Sequence, residues 1–160
     1  MAKEEINFEQ FLTAVEPPFQ EFISSLHKYL TGNDCKTKFE LKSSGFFVSY
    51  SHNKKSIINL LFRKKGLIVR IYGENVNKYL DFMNTLPEEM FKAIEKAPKC
   101  KRLINPNDCN PKCPMGYDFT IKGKYFQKCR INCFMFDINS ENNPYIKLFI
   151  ENEIITRTEK

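Results

Sequence analysis

The run KTKFELKSSGFFVSYSHNKKSIINLLFRKKGLIVRIY, residues 36–72, decides the fold. Four stretches rich in β-branched and aromatic residues, 36–41, 45–50, 56–62 and 66–72, read as strands, because such side chains fit a pleated, half-buried surface. The gaps between them are Lys42-Ser43-Ser44, Ser51-His52-Asn53-Lys54-Lys55 and Arg63-Lys64-Lys65. A parallel crossover needs roughly a dozen residues, so gaps this short predict an antiparallel four-stranded meander. Such a sheet buries one face against helices, which makes the fold class α+β.

The flanks supply those helices. Asn7 and Gln10 have the spacing of a capping box, and Phe8, Phe11, Leu12 and Val15 follow at helical intervals until Pro17-Pro18. Pro18 suits the first turn of a second helix, whose apolar stripe is Phe19, Phe22, Ile23, Leu26 and Leu30 and whose stop is Gly32-Asn33. After the meander, Asn75 opens a helix carrying Val76, Tyr79, Leu80 and Met83. Pro87-Glu88-Glu89 then restarts one with Met90, Phe91 and Ile94 that ends near Pro98. A last helix is expected over 142–155, with Tyr145, Ile146, Phe149 and Ile150 inward and the polar tail after Ile155 frayed.

With 160 residues and no linker-like stretch, the chain reads as a single domain, 1–160: an α+β core over 7–97, a Cys-rich segment over 99–133 and the last helix. Hydrophobic residues make up 42% and include 15 Phe and 7 Tyr, which excludes intrinsic disorder and collagen-like classes. The first residues are not those of a signal peptide, and no apolar run approaches the ~20 residues of a membrane span. A cytoplasmic protein with no membrane contact is expected. In that compartment the 6 Cys point to reduced thiols or a metal site rather than to a disulfide framework.

The cysteines carry the most specific chemistry. Five of the six, Cys100, Cys109, Cys113, Cys129 and Cys133, fall in one Pro- and Gly-bearing stretch, while Cys35 stands alone and reads as a bystander. The turn Cys109-Asn110-Pro111-Lys112-Cys113-Pro114 can direct two sulfurs at one point. The alternating run Tyr117–Phe126 has a Lys122-Gly123 tip and reads as a hairpin, with Cys129 opposite Gly116 and Cys133 opposite Lys112. Four thiolates within reach suit Zn²⁺, which binds sulfur at ~2.3 Å in a closed tetrahedron. The expected ligands are Cys100, Cys109, Cys113 and Cys129, with Cys133 as substitute. Buried free thiols, an iron–sulfur cluster or a redox pair remain open beside the zinc reading, because the same spacing serves each.

Catalysis finds less support. A nucleophilic Cys needs a base, and the 2 His, His27 and His52, sit in an amphipathic helix and a hairpin turn. Glu88-Glu89 fits the positive end of a helix better than acid–base work. The net charge of +6 comes mostly from Lys in separate turns, which favours a solvated surface over a nucleic-acid face. Phe46, Phe47, Tyr50 and Tyr72 lie at strand spacing and read as core, although an open aromatic sheet face is the pocket this chain would offer.

The order of helices, antiparallel meander and helix pair over residues 8–97, followed by a Cys-bearing extension, resembles small uncharacterised bacterial two-layer α+β proteins related to the YdhG-like domains. The resemblance implies the fold and carries no functional residue. The expectation is therefore a non-enzymatic domain with a structural four-cysteine zinc site, serving small-molecule sensing or protein interaction. The alternatives are a nucleic-acid-binding module using Lys-rich turns and a thiol redox protein using Cys129 and Cys133.

Overall fold

The computed structural model describes residues 6–63, 66–105, 107 and 116–159. Two helices lead in, α1 (Phe8–Ala14) and α2 (Pro17–Gly32). The Asn7 side chain accepts from the Gln10 amide while Gln10 returns a bond to the Asn7 amide, so the capping box is complete. Strands β1 (Lys36–Lys42), β2 (Gly45–His52), β3 (Lys55–Arg63) and β4 (Gly66–Ile71) follow as the expected antiparallel meander. Asn53 and Lys54, the two loop residues between β2 and β3, both have positive φ (50° and 68°), the primed-turn geometry that matches strand twist.

The sheet has a fifth strand that the sequence did not announce. Strand β7 (Met135–Asp137) pairs antiparallel with β4, giving the order β1-β2-β3-β4-β7. Three residues are too few to show an alternation, so this strand is set by tertiary pairing rather than by local pattern. The hairpin is separate: β5 (Tyr117–Ile121) and β6 (Lys124–Lys128) pair around Lys122 and Gly123, both at positive φ. The register runs from Ile121↔Lys124 to Tyr117↔Lys128, centred on Lys122-Gly123 as expected.

Phe11, Ile23, Leu26 and Leu30 of the first two helices are buried, as are Val48, Tyr50, Ile58, Leu60, Val69 and Ile71, which the register places on a common sheet face. Phe11 meets Phe46 and Phe62 edge-on, and the His27 ring stacks on Phe8 at 3.9 Å and reaches the Tyr50 hydroxyl at 2.7 Å. Burial lowers the His27 pKa from its ordinary 6.5.

Two helix expectations are corrected. The helix opened by Asn75 is broken into a 3-10 turn, Val76–Lys78, and a four-residue α3, Leu80–Met83. The cause is tertiary: the carboxylate of Glu153 takes the Asn75 amide at 3.1 Å and the Tyr79 hydroxyl at 2.5 Å, holding Tyr79 outside helical geometry at φ −135°. Helix α4 (Glu88–Lys96) forms as expected, with both acids in its first turn, and is followed by the short α5 (Lys101–Ile104). The last helix, α6 (Asn143–Thr158), does not fray after Ile155. Arg157 bonds Glu153 at 2.6 Å and donates to the carbonyls of Ser56 and Tyr72 at 3.0 Å each.

Glu153 is 0% exposed, so this is a buried pair whose partners are satisfied on both sides. Removing one member strands the other charge, at a cost of about 3–5 kcal/mol. Arg157→Met should therefore lower stability by that amount in urea unfolding, and a loss below about 1 kcal/mol would contradict the assignment. The depressed His27 pKa has its own signature. Stability that depends on neutral His27 is complete above about 6.5 and is lost as pH falls through the lower folded value. Wild type should lose more thermal stability than His27→Gln between pH 7 and 5, and parallel curves would count against it.

Candidate functional site

The structure brings two of the expected zinc ligands together. Residues 98–100 run beside the end of β6: the Cys100 amide donates to the Gln127 carbonyl at 2.9 Å, the Cys129 amide donates to the Pro98 carbonyl at 3.0 Å, and Lys99 bridges Lys128. Cys100 and Cys129 thus occupy diagonal positions on one face of a short antiparallel ladder, where neighbouring residues lie about 7–8 Å apart and their side chains are within reach of each other. The intervening Lys128 points the other way and is buried. Its ammonium caps the end of α4 through the carbonyls of Glu95 (2.8 Å) and Ala97 (2.7 Å), which fixes β6 against that helix.

Gly116 completes the third side. Its amide donates to Cys100 Sγ at 3.2 Å. A Cβ at this position would lie 2.0 Å from the Lys128 carbonyl and 3.0 Å from Cys100 Sγ, so no larger residue fits.

Cys133 differs from its neighbours. Its amide donates to the Cys129 carbonyl at 2.8 Å, so the two stand one helical turn apart, but Cys133 is fully buried. Burial pushes its thiol well above the ordinary range, against a smaller opposing effect of Lys128. That environment suits a packed, protonated thiol. The Asn132 side chain instead approaches Cys129 Sγ, at 3.7 Å. Cys35, at the start of β1, is buried and its thiol is raised to about 11 by desolvation. Cys109 and Cys113 lie outside the described residues, among which no group of three or more His, Cys, Asp or Glu is assembled around a metal position.

A polar network joins this segment to the sheet. Asn59 on β3 is buried, and its Oδ1 accepts from Arg70 Nη1 at 3.0 Å and from the Tyr72 hydroxyl at 2.9 Å, while its Nδ2 donates to Ser49 Oγ at 3.2 Å. Arg70 Nε donates to the Ile131 carbonyl at 2.8 Å, within the Cys129–Cys133 turn. Arg130 pairs with Glu74 and lies over the rings of Tyr72 and Tyr117. Asn59, Arg70 and Arg130 were not singled out from the sequence. The signal available was a lone polar residue inside each apolar strand, Asn59 in Ser56–Phe62 and Arg70 in Gly66–Tyr72. The four aromatics divide between faces: Phe46 and Tyr50 face α1 and α2, whereas Tyr72 belongs to the Asn59 network and Phe47 lies under the Lys42 ammonium.

His52 ends β2 rather than sitting in the turn; it is buried with Nδ1 unbonded. No described helix is long and apolar enough to cross a membrane. No family model, curated protein or solved structure matches the chain.

The steric role of Gly116 is directly testable. Gly116→Ala should cost about 1–3 kcal/mol by forcing the hairpin off residues 98–100. Hydrogen exchange should locate the loss at Cys100, Gln127 and Cys129. A neutral substitution would mean that the ladder is not this close.

Proposed function

We propose that this chain is a non-enzymatic binding domain, working in a reducing cytoplasmic setting, whose segment 99–133 is fixed by one structural zinc ion. The ligands in this reading are Cys100 and Cys129, with Cys109 and Cys113 contributed by the loop between them. The observation that carries it is the ladder at Lys99–Lys128, which places Cys100 and Cys129 on one face beside a backbone amide that already serves Cys100 Sγ. Cys129 is preferred to Cys133 because Cys129 is half-exposed, whereas Cys133 is buried in an environment that favours the protonated thiol.

The physical need is clear in the sequence. The stretch from Asn105 to Gly116 has three Pro and few apolar residues, so little burial offsets the entropy of ordering it. A tetrahedral site joining both ends would supply that free energy, and it would do so only with metal present. The metal then has no reaction to perform. Its effect is to hold a hairpin against the sheet's Asn59–Arg70–Tyr72 network and so to shape a surface for a small molecule or a protein partner.

Protein purified without chelator should contain about one zinc per chain, and chelation should make Cys100, Cys109, Cys113 and Cys129 reactive while Cys35 and Cys133 stay protected by burial. Iron with visible absorbance would instead assign a cluster. On chelation, exchange protection should fall across 99–133 and persist in β1–β4. Unchanged protection throughout, or no metal with freely reactive Cys100 and Cys129, would remove the proposal.

A further inference from the structure

Among the described residues no strand pairs with the outer edge of β7, and that edge faces a cleft. Among the described residues β7 ends the sheet, with β4 on one side and no strand on the other. The Ile71 amide donates to the Phe134 carbonyl at 2.9 Å and the Ile138 amide to the Leu67 carbonyl at 3.0 Å, with Val69 opposite Phe136 between them. Antiparallel ladders alternate, so Phe134, Phe136 and Ile138 turn their backbone groups to β4, while Met135 and Asp137 turn theirs outward. A cavity of about 240 Å³ lies there, between β7 and α4. It is lined by Met135, Phe136 and Asp137 in succession. Successive side chains alternate between faces, so a cavity touched by all three runs along the strand's edge.

A second observation points to an occupant. Asn142 lines the same cavity and is 1% exposed. Its Nδ2 donates to the Asp137 carbonyl at 3.0 Å, but its Oδ1 has no hydrogen-bond partner. A buried carbonyl oxygen left unpaired costs about 1–3 kcal/mol, which an incoming N–H would recover. The opposite wall is charged in order. Glu89, whose carboxylate meets the Asn139 side chain at 3.4 Å, stands at the Asp137 end, and Lys92, which also meets the Glu88 carboxylate at 3.3 Å, and Lys96 follow it along the helix. Acid therefore marks one end of the groove and base the other.

We infer that the β7–α4 cleft binds a short extended peptide with a free C-terminal carboxylate. The peptide lies antiparallel to β7, exchanges main-chain hydrogen bonds with Met135 and the Asp137 amide, gives an N–H to Asn142 Oδ1, and sets its carboxylate by Lys92 and Lys96. This is strand addition to a sheet edge, in which backbone pairing supplies affinity and the groove walls supply selectivity. The inference deepens the reading of the chain as a binding domain and is independent of zinc, since no cysteine lines the cleft.

The test is an amide-shift titration of the full chain with trivaline and with its C-terminal amide. Metal content measured on the same sample separates failure here from failure of the zinc site. Trivaline should give saturable shifts at Met135, Asp137 and the Asn142 side chain, and the amide should bind about fivefold more weakly. The double variant Lys92→Gln, Lys96→Gln should abolish that preference and leave the amide's affinity unchanged. Met135→Pro should abolish binding of both without lowering the melting temperature, because the amide it removes points away from β4. Absence of saturable shifts in the cleft, or equal affinity for acid and amide in the wild type, would overturn the inference.

Discussion

The contact on which the rest of the structure depends is the buried pair of Glu153 and Arg157 near the end of α6. A carboxylate with no solvent exposure survives only if its lone pairs are filled, and here the Asn75 amide, the Tyr79 hydroxyl and the Arg157 guanidinium fill them. Arg157 in turn spans to carbonyls of Ser56 and Tyr72, so one i, i+4 pair ties the last helix to β3, to the end of β4 and to the 3-10 turn after it. The orientation of α6 follows. Phe149 is thereby placed among Tyr79, Phe82, Phe134 and Phe136.

Phe134 carries the constraint into the Cys-bearing half. Its ring packs on Tyr117, Phe119 and Phe149, its carbonyl takes the Ile71 amide, and Gly73 leaves it room: a Cβ there would come within 2.9 Å of the Phe134 ring. The Cys129–Cys133 turn is therefore held from both ends, by Phe134 after it and by the Pro98–Cys129 bond before it, with Arg70 on the Ile131 carbonyl between. The same docking delivers β7 to β4 and leaves its other edge facing α4. One segment thus carries the thiol ladder before the turn and β7 after it.

What was legible in the sequence was local. The meander could be read because period-two patterning and short polar gaps leave an antiparallel sheet little alternative, and the Lys122-Gly123 tip fixed the hairpin register down to Tyr117 opposite Lys128. The capping box at Asn7 was readable for the same reason. What was not legible was set over long separations. Glu153 continues the i, i+3, i+4, i+7 stripe of Ile146, Phe149 and Ile150, but the group that satisfies its carboxylate, the Tyr79 hydroxyl, lies 74 residues away. That contact also broke the helix expected from Asn75, and its Arg157 partner prevented the expected fraying. Strand β7 offered only three residues, and Asn142, expected to open the last helix, gives that helix no side-chain cap bond and instead bonds Asp137. Of the candidate site, the hairpin was anticipated, but as a device that carries Cys129 toward the Cys109–Cys113 turn; the pairing of residues 98–100 with the end of β6 and the buried state of Cys133 depend on packing that spacing does not encode.

The central functional claim is that the Lys99–Lys128 bridge presents Cys100 and Cys129 to a common metal ion. The most direct measurement is an anomalous difference map from crystals of the full chain, recorded on both sides of the zinc absorption edge. The account predicts one peak, present only above the edge, about 2.3 Å from both Cys100 Sγ and Cys129 Sγ. A map from metal-replete crystals with no peak at that position, or with the peak held by other residues, would contradict it.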